Sequence, residues 1–364
     1  MLDSVSLSGV VAEFNPTFVP LAGFVIGFVF GFVLQRTNFC PFGSISDAVL
    51  LGDFRRARAW LLAALTCLCL TQLAFYHGYV DLRLSMYLTP NTDWFVQILG
   101  GLLFGVGMAL AGGCVSKNIV RFAGGDCRSG VVLVVTSLMT YLTISGVLAP
   151  LRHWLQEATE LSLDAKSQSM PDLLELLGVG DDLVRTFSLV GIIAVVLLYI
   201  IFKEPAFRKS HKHIFGGVLI GSCVAFGWIV TGIAYDEFSH DPVMPISLSF
   251  VRPVGDGFEY LRRYTGEGLP SFGVASVLGT FSGACLANLF GRNFHVTGFA
   301  DSNDTLRNLL GASLMGVGGV LAMGCTIGQG LTGVAALSVG SLLSLFAIIV
   351  GALLALRWLE KRII

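Results

Sequence analysis

A run of 49 residues, from Asn308 to Leu356, contains no charged side chain. One helix needs about 20 apolar residues to cross roughly 30 Å of hydrocarbon, so this run is long enough for two crossings. With a break near Gly324 to Gly333, it supplies two of nine predicted transmembrane helices. Uncharged runs that predict the other seven are Phe14 to Gln35, Ala59 to Val80, Trp94 to Ser116, Ser129 to Leu151, Thr186 to Phe202, Ile214 to Tyr235 and Gly268 to Gly291.

The composition agrees with an all-α integral membrane protein that faces lipid. Charged residues make up 13% of the chain, against about 25% in a soluble domain. The net charge of −1 gives no basic field for nucleic acid, so none is expected as a partner. Eight cysteines fall almost entirely within apolar runs, which is not the pattern of a secreted disulfide framework.

Basic residues are unevenly distributed between the loops and predict the orientation. Most of them fall on one side of a nine-helix chain, and by the positive-inside rule that side is the cytoplasm. The first apolar run lacks a basic n-region and is too long for a signal-peptide core, so we expect it to be retained. The predicted location is a bacterial inner (plasma) membrane, with the N-terminus outside and the C-terminus in the cytoplasm. The cytoplasmic set is Arg55, Arg56, Arg58, Arg128, Lys203, Arg208, Lys209, Lys212, Arg292, Arg307, Arg357, Lys361 and Arg362; Arg252, Arg262 and Arg263 depart from it.

An internal repeat links two distant segments. Residues 98–114 and residues 309–325 are identical at ten of 17 positions, in the frame G-x₄-G-x-G-x₂-L-A-x-G-C. A weaker match joins residues 23–27 to residues 217–221. Counting helices, the matched segments enter the membrane from opposite sides, which predicts two inverted halves, 1–202 (helices 1–5) and 203–364 (helices 6–9). Inverted repeats are typical of transporters that bind substrate where the halves meet.

Each copy of the repeat ends in a cysteine that is followed by small polar residues. Such residues interrupt a helix, and a broken helix at membrane depth is tolerated only inside protein or around a cavity. A short helix that restarts after the cysteine points its N–H groups and positive dipole end at the thiol. Cys40 is followed by Pro41, which suits the first position of a new helix. The second half has Ala234 at the place that corresponds to Cys40.

These breaks supply the candidate transport residues. A thiol is a soft, weak donor, so beside N–H groups it suits an anion that contains sulfur or selenium. We expect neutral thiols, because burial disfavours the charged form and a thiolate repels an anion. Passage without covalent transfer, and without a cofactor or metal, is therefore expected. The candidate residues are Cys40, Cys114, Cys325, Gly113, Gly324, Thr326 and Gln329.

At these residues the chain resembles the YeeE/YedE family of membrane proteins, which includes thiosulfate importers. The resemblance covers nearly the whole chain and implies thiosulfate uptake, with the substrate passed between three cysteines along a narrow pathway. It further implies short helices near the membrane centre and a cytosolic TusA-like sulfurtransferase as partner. The matching motifs are RTNFCPFG at 36–43, GGC at 112–114, SFVRPVGDGFEYL at 249–261, FGVASVLGTFSGA at 272–284 and LMGVGGVLAMGCTIGQGLTG at 314–333.

Other functions remain open at the level of sequence. The transporter could carry a different sulfur or selenium compound. An intramembrane sulfurtransferase would need a base to activate its thiol, yet no histidine or carboxylate adjoins the three cysteines in sequence. A copper(I) path is the third alternative, but only one C-x-C pair, Cys67 and Cys69, is present.

Overall fold

The structure is a computed structural model that describes residues 4–162, 165–175, 182–237, 243–264, 268–292, 294–299 and 301–363. It is a bundle of α-helices with one two-residue antiparallel pair, β1 (Asn91–Thr92) with β2 (Leu161–Ser162). A short 3₁₀ turn spans Leu82–Leu84 and a π-helical turn spans Gly328–Gly333. The α-helices are α1 (Ser4–Thr37), α2 (Pro41–Leu50), α3 (Arg55–Tyr76), α4 (Trp94–Leu110), α5 (Val115–Ala123), α6 (Cys127–Ile144), α7 (Ala149–Thr159), α8 (Met170–Glu175), α9 (Asp182–Phe202), α10 (Pro205–Arg208), α11 (His211–Ile233), α12 (Val251–Arg262), α13 (Phe272–Gly291), α14 (Ser302–Leu321) and α15 (Val339–Ile363).

Eight helical segments of the described chain are long and apolar enough to cross a membrane. Two of them, Thr17–Leu50 and Trp94–Ala123, each combine a long helix with the short helix that follows a cysteine. The predicted ninth crossing corresponds to α14, which has 20 residues but carries Asp304, Arg307 and Asn308 near its start. The all-α membrane class predicted from the sequence is confirmed.

Helix pairing follows a regular order. Helix α1 packs on α13 and α3 packs on α11, while α4 packs on α15 and α6 packs on α14. Suppose that α1 corresponds to α11, α3 to α13, α4 to α14 and α6 to α15. The pair α1–α13 then corresponds to the pair α11–α3, and the pair α4–α15 corresponds to the pair α14–α6. Helices α1 and α11 also touch each other, as do α4 and α14. A twofold relation between the two sets would produce this pairing.

Helices α4 and α14, which carry the repeated sequence, run antiparallel. A Cβ atom on Gly107 would lie 2.6 Å from the carbonyl oxygen of Gly311, while Gly100 lies against Ala322 at the other end of the contact. Residue numbers therefore rise along one helix as they fall along the other. Small residues allow this approach, because helices in lipid associate through close packing rather than hydrophobic exclusion.

Helix α9 lies at the edge of the bundle. Only 11% of the most apolar 18-residue stretch of this helix is buried, and the helix packs mainly on α3. Large apolar side chains cover its surface, among them Ile192, Val195 and Tyr199. A helix that is apolar all round with so little burial is suited to lipid contact rather than to a protein core.

The predicted break over Gly324 to Gly333 was too broad. The chain leaves helical geometry only at Ala322 to Cys325, after which residues 326–335 form one helical segment that includes the π-turn. Glycines in that segment do not unwind it, because neighbouring side chains fill the space beside them: Gly330 lies against Trp60, and Gly328 lies against Ser249. A second break follows at residues 336–338, before α15 begins.

Candidate functional site

Three buried cysteines follow helix ends that share one geometry. In each case, the residue two positions before the cysteine has left-handed backbone, and the residue between them donates its N–H to a carbonyl five positions earlier. This is the Schellman ending of a helix, which satisfies carbonyls that the helix itself cannot bond. The left-handed residues are Asn38 (φ 54°), Gly112 (φ 68°) and Met323 (φ 56°); the N–H to carbonyl bonds are Phe39 to Leu34 at 3.2 Å, Gly113 to Met108 at 2.9 Å and Gly324 to Gly319 at 2.9 Å.

After each turn the cysteine begins the next helix. Its carbonyl accepts an N–H from the residue four positions on, so each cysteine occupies the N-cap. The prediction that Cys40 is an N-cap with Pro41 at the first helical position is confirmed. The bonds are Ser44 to Cys40 at 2.9 Å, Asn118 to Cys114 at 3.0 Å and Gln329 to Cys325 at 2.8 Å.

The thiols are held at these caps by local contacts. The N–H of Gly43 lies 3.3 Å from Cys40 Sγ, and the N–H of Gly328 lies 3.4 Å from Cys325 Sγ. Cys114 Sγ lies 3.2 Å from the hydroxyl of Ser116 instead. The sulfur atoms therefore face the positive ends of three short helical segments, as the sequence predicted.

The fold brings the three cysteines together from distant parts of the chain. The Cys40 and Cys114 side chains are close enough to interact with each other, and Cys325 is within electrostatic range of Cys114. All three are buried. The described residues contain no group of three or more His, Cys, Asp or Glu side chains arranged to hold a metal ion.

A large cavity lies beside the helix break that holds Cys325, with Ser249 and Met323 in its lining. Its volume is about 1690 Å³, and we call it the vestibule. At its base the Ser249 hydroxyl lies 4.0 Å from Cys325 Sγ, and Met323 of the helix break forms part of the wall. Residues that carry charge or hydroxyl groups around the vestibule include Arg83, Tyr87, Lys166, Asp172, Ser249 and Arg252.

Thr326 and Gln329, both predicted site residues, hold unmatched polar atoms beside Cys325. Each residue is 2% exposed, yet Thr326 Oγ1 and Gln329 Oε1 have no hydrogen-bond partner among the described residues. The other end of the Gln329 amide donates to the Ala322 carbonyl and braces the break. Because a buried, unpaired polar atom is costly, these atoms are natural contacts for a ligand or water.

Gly113 and Gly324, both predicted site residues, lie within the turns that end the helices. Their N–H groups are occupied by the helix-ending bonds and do not face the path as free donors. Both glycines are buried, and a Cβ atom on Gly113 would lie 3.2 Å from Lys117 Cγ. Both glycines therefore help to form the turn that precedes the thiol.

Other features of the site carried no signal in the sequence. Leu337 is another left-handed residue (φ 58°), just before α15, and its carbonyl accepts the N–H of Met170 at 2.9 Å. The Gln168 carbonyl in turn accepts the N–H of Val339 at 3.2 Å. The segment before α8 therefore pairs with this break through backbone hydrogen bonds. No residue type in the sequence predicts such a pairing.

Cysteines outside the breaks lie in ordinary packing positions. Cys69 and Cys127 are exposed, Cys285 is half-buried, and Cys223 is buried within α11. Cys67 is buried against the carbonyl of Leu331, at 3.7 Å. None of the five is the cap of a broken helix.

Membrane-length helices that break at buried thiols, beside a large cavity, define a membrane transport protein. The chain belongs to the sulphur transport family, whose model matches residues 36–354. It is similar to the thiosulfate transporter TsuA of Escherichia coli (strain K12), with 27% identity over 332 residues that cover 85% of this chain and 86% of the relative. The thiosulfate transporter TsuA of Spirochaeta thermophila is likewise 27% identical over 339 residues, which are 90% of this chain and 96% of the relative.

Proposed function

We propose that this chain imports thiosulfate along a path that joins the vestibule to Cys325, Cys114 and Cys40. The observation that carries the proposal is the shared geometry of the three thiols, each a helix N-cap and each within range of the next. Both relatives described above are named thiosulfate transporters, which supports this substrate. Another sulfur or selenium anion is the alternative substrate.

The chemistry of the path suits an anion with a soft terminal atom. N–H groups and positive helix ends favour its charge, while thiols offer soft, weak contacts. The unpaired Thr326 hydroxyl adds a donor beside Cys325. Movement through such a series needs each site to be favourable enough to enter and weak enough to leave.

Transport on this proposal involves no covalent chemistry. The contacts of the three thiols are with one another, with hydroxyl groups and with backbone N–H groups. A thiol nucleophile needs an adjacent base, such as histidine or carboxylate. A cytosolic TusA-like sulfurtransferase would accept the sulfur compound after release.

The proposed orientation places the vestibule outside the cell in a bacterial inner membrane. Val19 lies at the vestibule, whereas Thr37, at the other end of α1, lies beside Arg56 and His213. Arg55, Arg56 and Arg58 would then face the cytoplasm, as the positive-inside rule requires. The N-terminus would lie outside and the C-terminus inside.

Residues 1–202 and 203–364 would form two inverted halves. The antiparallel contact of α4 with α14 and the exchange pattern of helix pairs support this division. In such an arrangement the broken helices of both halves meet near the membrane centre. Cys114 and Cys325 would be its matched pair, and Cys40 has Ala234 as its counterpart.

Uptake of radiolabelled thiosulfate into cells that lack their own uptake tests the function. Cells expressing the chain should accumulate label, and Cys40→Ala, Cys114→Ala or Cys325→Ala should each remove most of it. Serine at the same positions should restore only part, since a hydroxyl donates a hydrogen bond but is harder than a thiol. Cys223→Ala is the matched control, because Cys223 is equally buried but lies within an unbroken helix.

Rates must be normalised to the protein present in the membrane. Normal uptake by Cys114→Ala or Cys325→Ala would refute the relay of cysteines. Absence of uptake by the unaltered chain, at normal membrane levels, would refute thiosulfate as the substrate.

A further inference from the structure

Beyond Cys40 and Cys114, away from the vestibule, two cations of α5 lack carboxylate partners. Lys117 and Arg121 are four residues apart, so their side chains lie on one face of the helix. Lys117 Nζ donates to Asn38 Oδ1 at 2.7 Å, and the Arg121 side chain makes no hydrogen bond or ion pair with the residues that the structure describes. Both side chains are half-buried.

Four other basic residues on this side of the protein do have carboxylate partners. Arg55 pairs with Asp53 at 2.7 Å, Arg58 pairs with Glu204 at 3.0 Å, and Arg128 pairs with Asp126 at 3.1 Å. Arg56 pairs with Asp47 at 3.1 Å and also lies within electrostatic range of Lys117. Lys117 and Arg121 therefore leave about two positive charges uncompensated in a partly buried position, which is unfavourable without an anion.

Both groups border the turn that holds Cys114. Arg121 Nη1 would lie 3.3 Å from a Cβ atom on Gly112, and the aliphatic part of Lys117 lies against Gly113. Lys117 also interacts electrostatically with both Cys40 and Cys114. The two cations are thus next to the thiols at the end of the path that is farther from the vestibule.

The matching break in the second half has no such charge. Continuing the alignment of Cys114 with Cys325 places Gly328 at the position of Lys117 and Thr332 at that of Arg121. Thr332 is buried and donates to the Leu248 carbonyl at 2.7 Å. The two breaks share their backbone and differ in electrostatics, so the charge is not a requirement of the turn.

We infer that Lys117 and Arg121, with Arg56 at the side, form a binding site for a small divalent oxyanion at the end of the path away from the vestibule. Two uncompensated cations one helical turn apart suit one dianion such as sulfate or thiosulfate. That the site receives the transported anion rests on the proposed function. The site's capacity to bind an oxyanion does not.

Equilibrium binding of radiolabelled sulfate to the purified full chain in detergent tests this site. The unaltered protein should bind sulfate, with affinity that falls as salt rises. Lys117→Gln and Arg121→Gln should each weaken binding by about tenfold or more, because each removes a charge-assisted contact. Lys117→Arg keeps the charge and should stay within a few-fold of the unaltered protein.

Two controls locate the effect. Arg128→Gln removes a basic residue from the same side that already has carboxylate partners, and Cys223→Ala removes a buried thiol that lies outside the path. Both should bind sulfate as the unaltered chain does. No sulfate binding, unchanged binding in Lys117→Gln and Arg121→Gln, or an equal loss in Arg128→Gln or Cys223→Ala would each overturn the site.

Discussion

Gly27 of α1 lies against the carbonyl oxygen of Ser276 on α13, with no room for a side chain between them. Gly31 meets Thr280 in the same way one turn further along. Helix α1 ends at the turn that holds Cys40, so the closeness of α1 to α13 fixes where that thiol lies. Packing between two helices thereby sets one wall of the path.

Gly27→Ala should therefore destabilise the protein. Its Cβ atom would overlap the Ser276 backbone, which cannot yield as a flexible side chain can, so a cost of about 1–3 kcal/mol is expected. Thermal unfolding in detergent, followed by fluorescence, would show a lowered midpoint. Gly191→Ala on α9 is the control, because nothing lies within 4 Å of its Cβ position; a midpoint equal in the two variants would contradict the packing argument.

The left-handed residue before Cys114 gives a second prediction. Gly112→Ala should cost about 1 kcal/mol, since a Cβ atom disfavours positive φ. Gly112→Asn should cost less, because asparagine tolerates this conformation and already occupies it at position 38. Unfolding midpoints of the two variants provide the comparison, and a greater loss for asparagine than for alanine would speak against strain as the cause.

Cysteines away from the breaks should be dispensable. Replacing Cys67, Cys69, Cys223 and Cys285 by alanine should leave uptake largely intact, with a stability loss of about 1 kcal/mol each where the site is buried. Uptake by single variants, at matched membrane levels, is the measurement. Loss of uptake in a normally expressed Cys69→Ala protein, for example, would contradict this prediction and show that transport requires an exposed thiol.

The topology can be checked with reporters at the two ends of the chain. A reporter at the C-terminus should be active in the cytoplasm, and an N-terminal tag should be reached by probes from outside intact cells. The nine proposed crossings and the distribution of arginine residues require both results. Both termini on the same side would remove the proposed inversion of the halves.

Sequence patterns predicted most of the long apolar helices and the helix restart after Cys40 because each has a local cause. Uncharged runs set the helices, proline marked the restart after Cys40, and glycine marked the turn before Cys114. Met323 and Leu337 adopt the same left-handed backbone without any residue preference for it. Their conformation is imposed by the surrounding packing, which a single sequence does not contain.

Contacts between residues on different helices could not be predicted from the sequence either. Lys117 and Asn38 are 79 positions apart, and only the packed helices bring the ammonium group to the amide. The same holds for Ser249 and Cys325 at the base of the vestibule. Spacing along one helix is readable from sequence, whereas contact between helices depends on how several of them cross.

Helix α9 matters for the topology because it adds one crossing between the two halves of the chain. In the proposed nine-crossing topology, four crossings precede it along the described chain and four follow it, although it contributes little to the core. Without this one reversal of direction, α4 and α14 would run parallel, and their cysteines would approach the same side of the bilayer. In that topology, a helix that buries almost nothing determines which way the second half of the molecule faces.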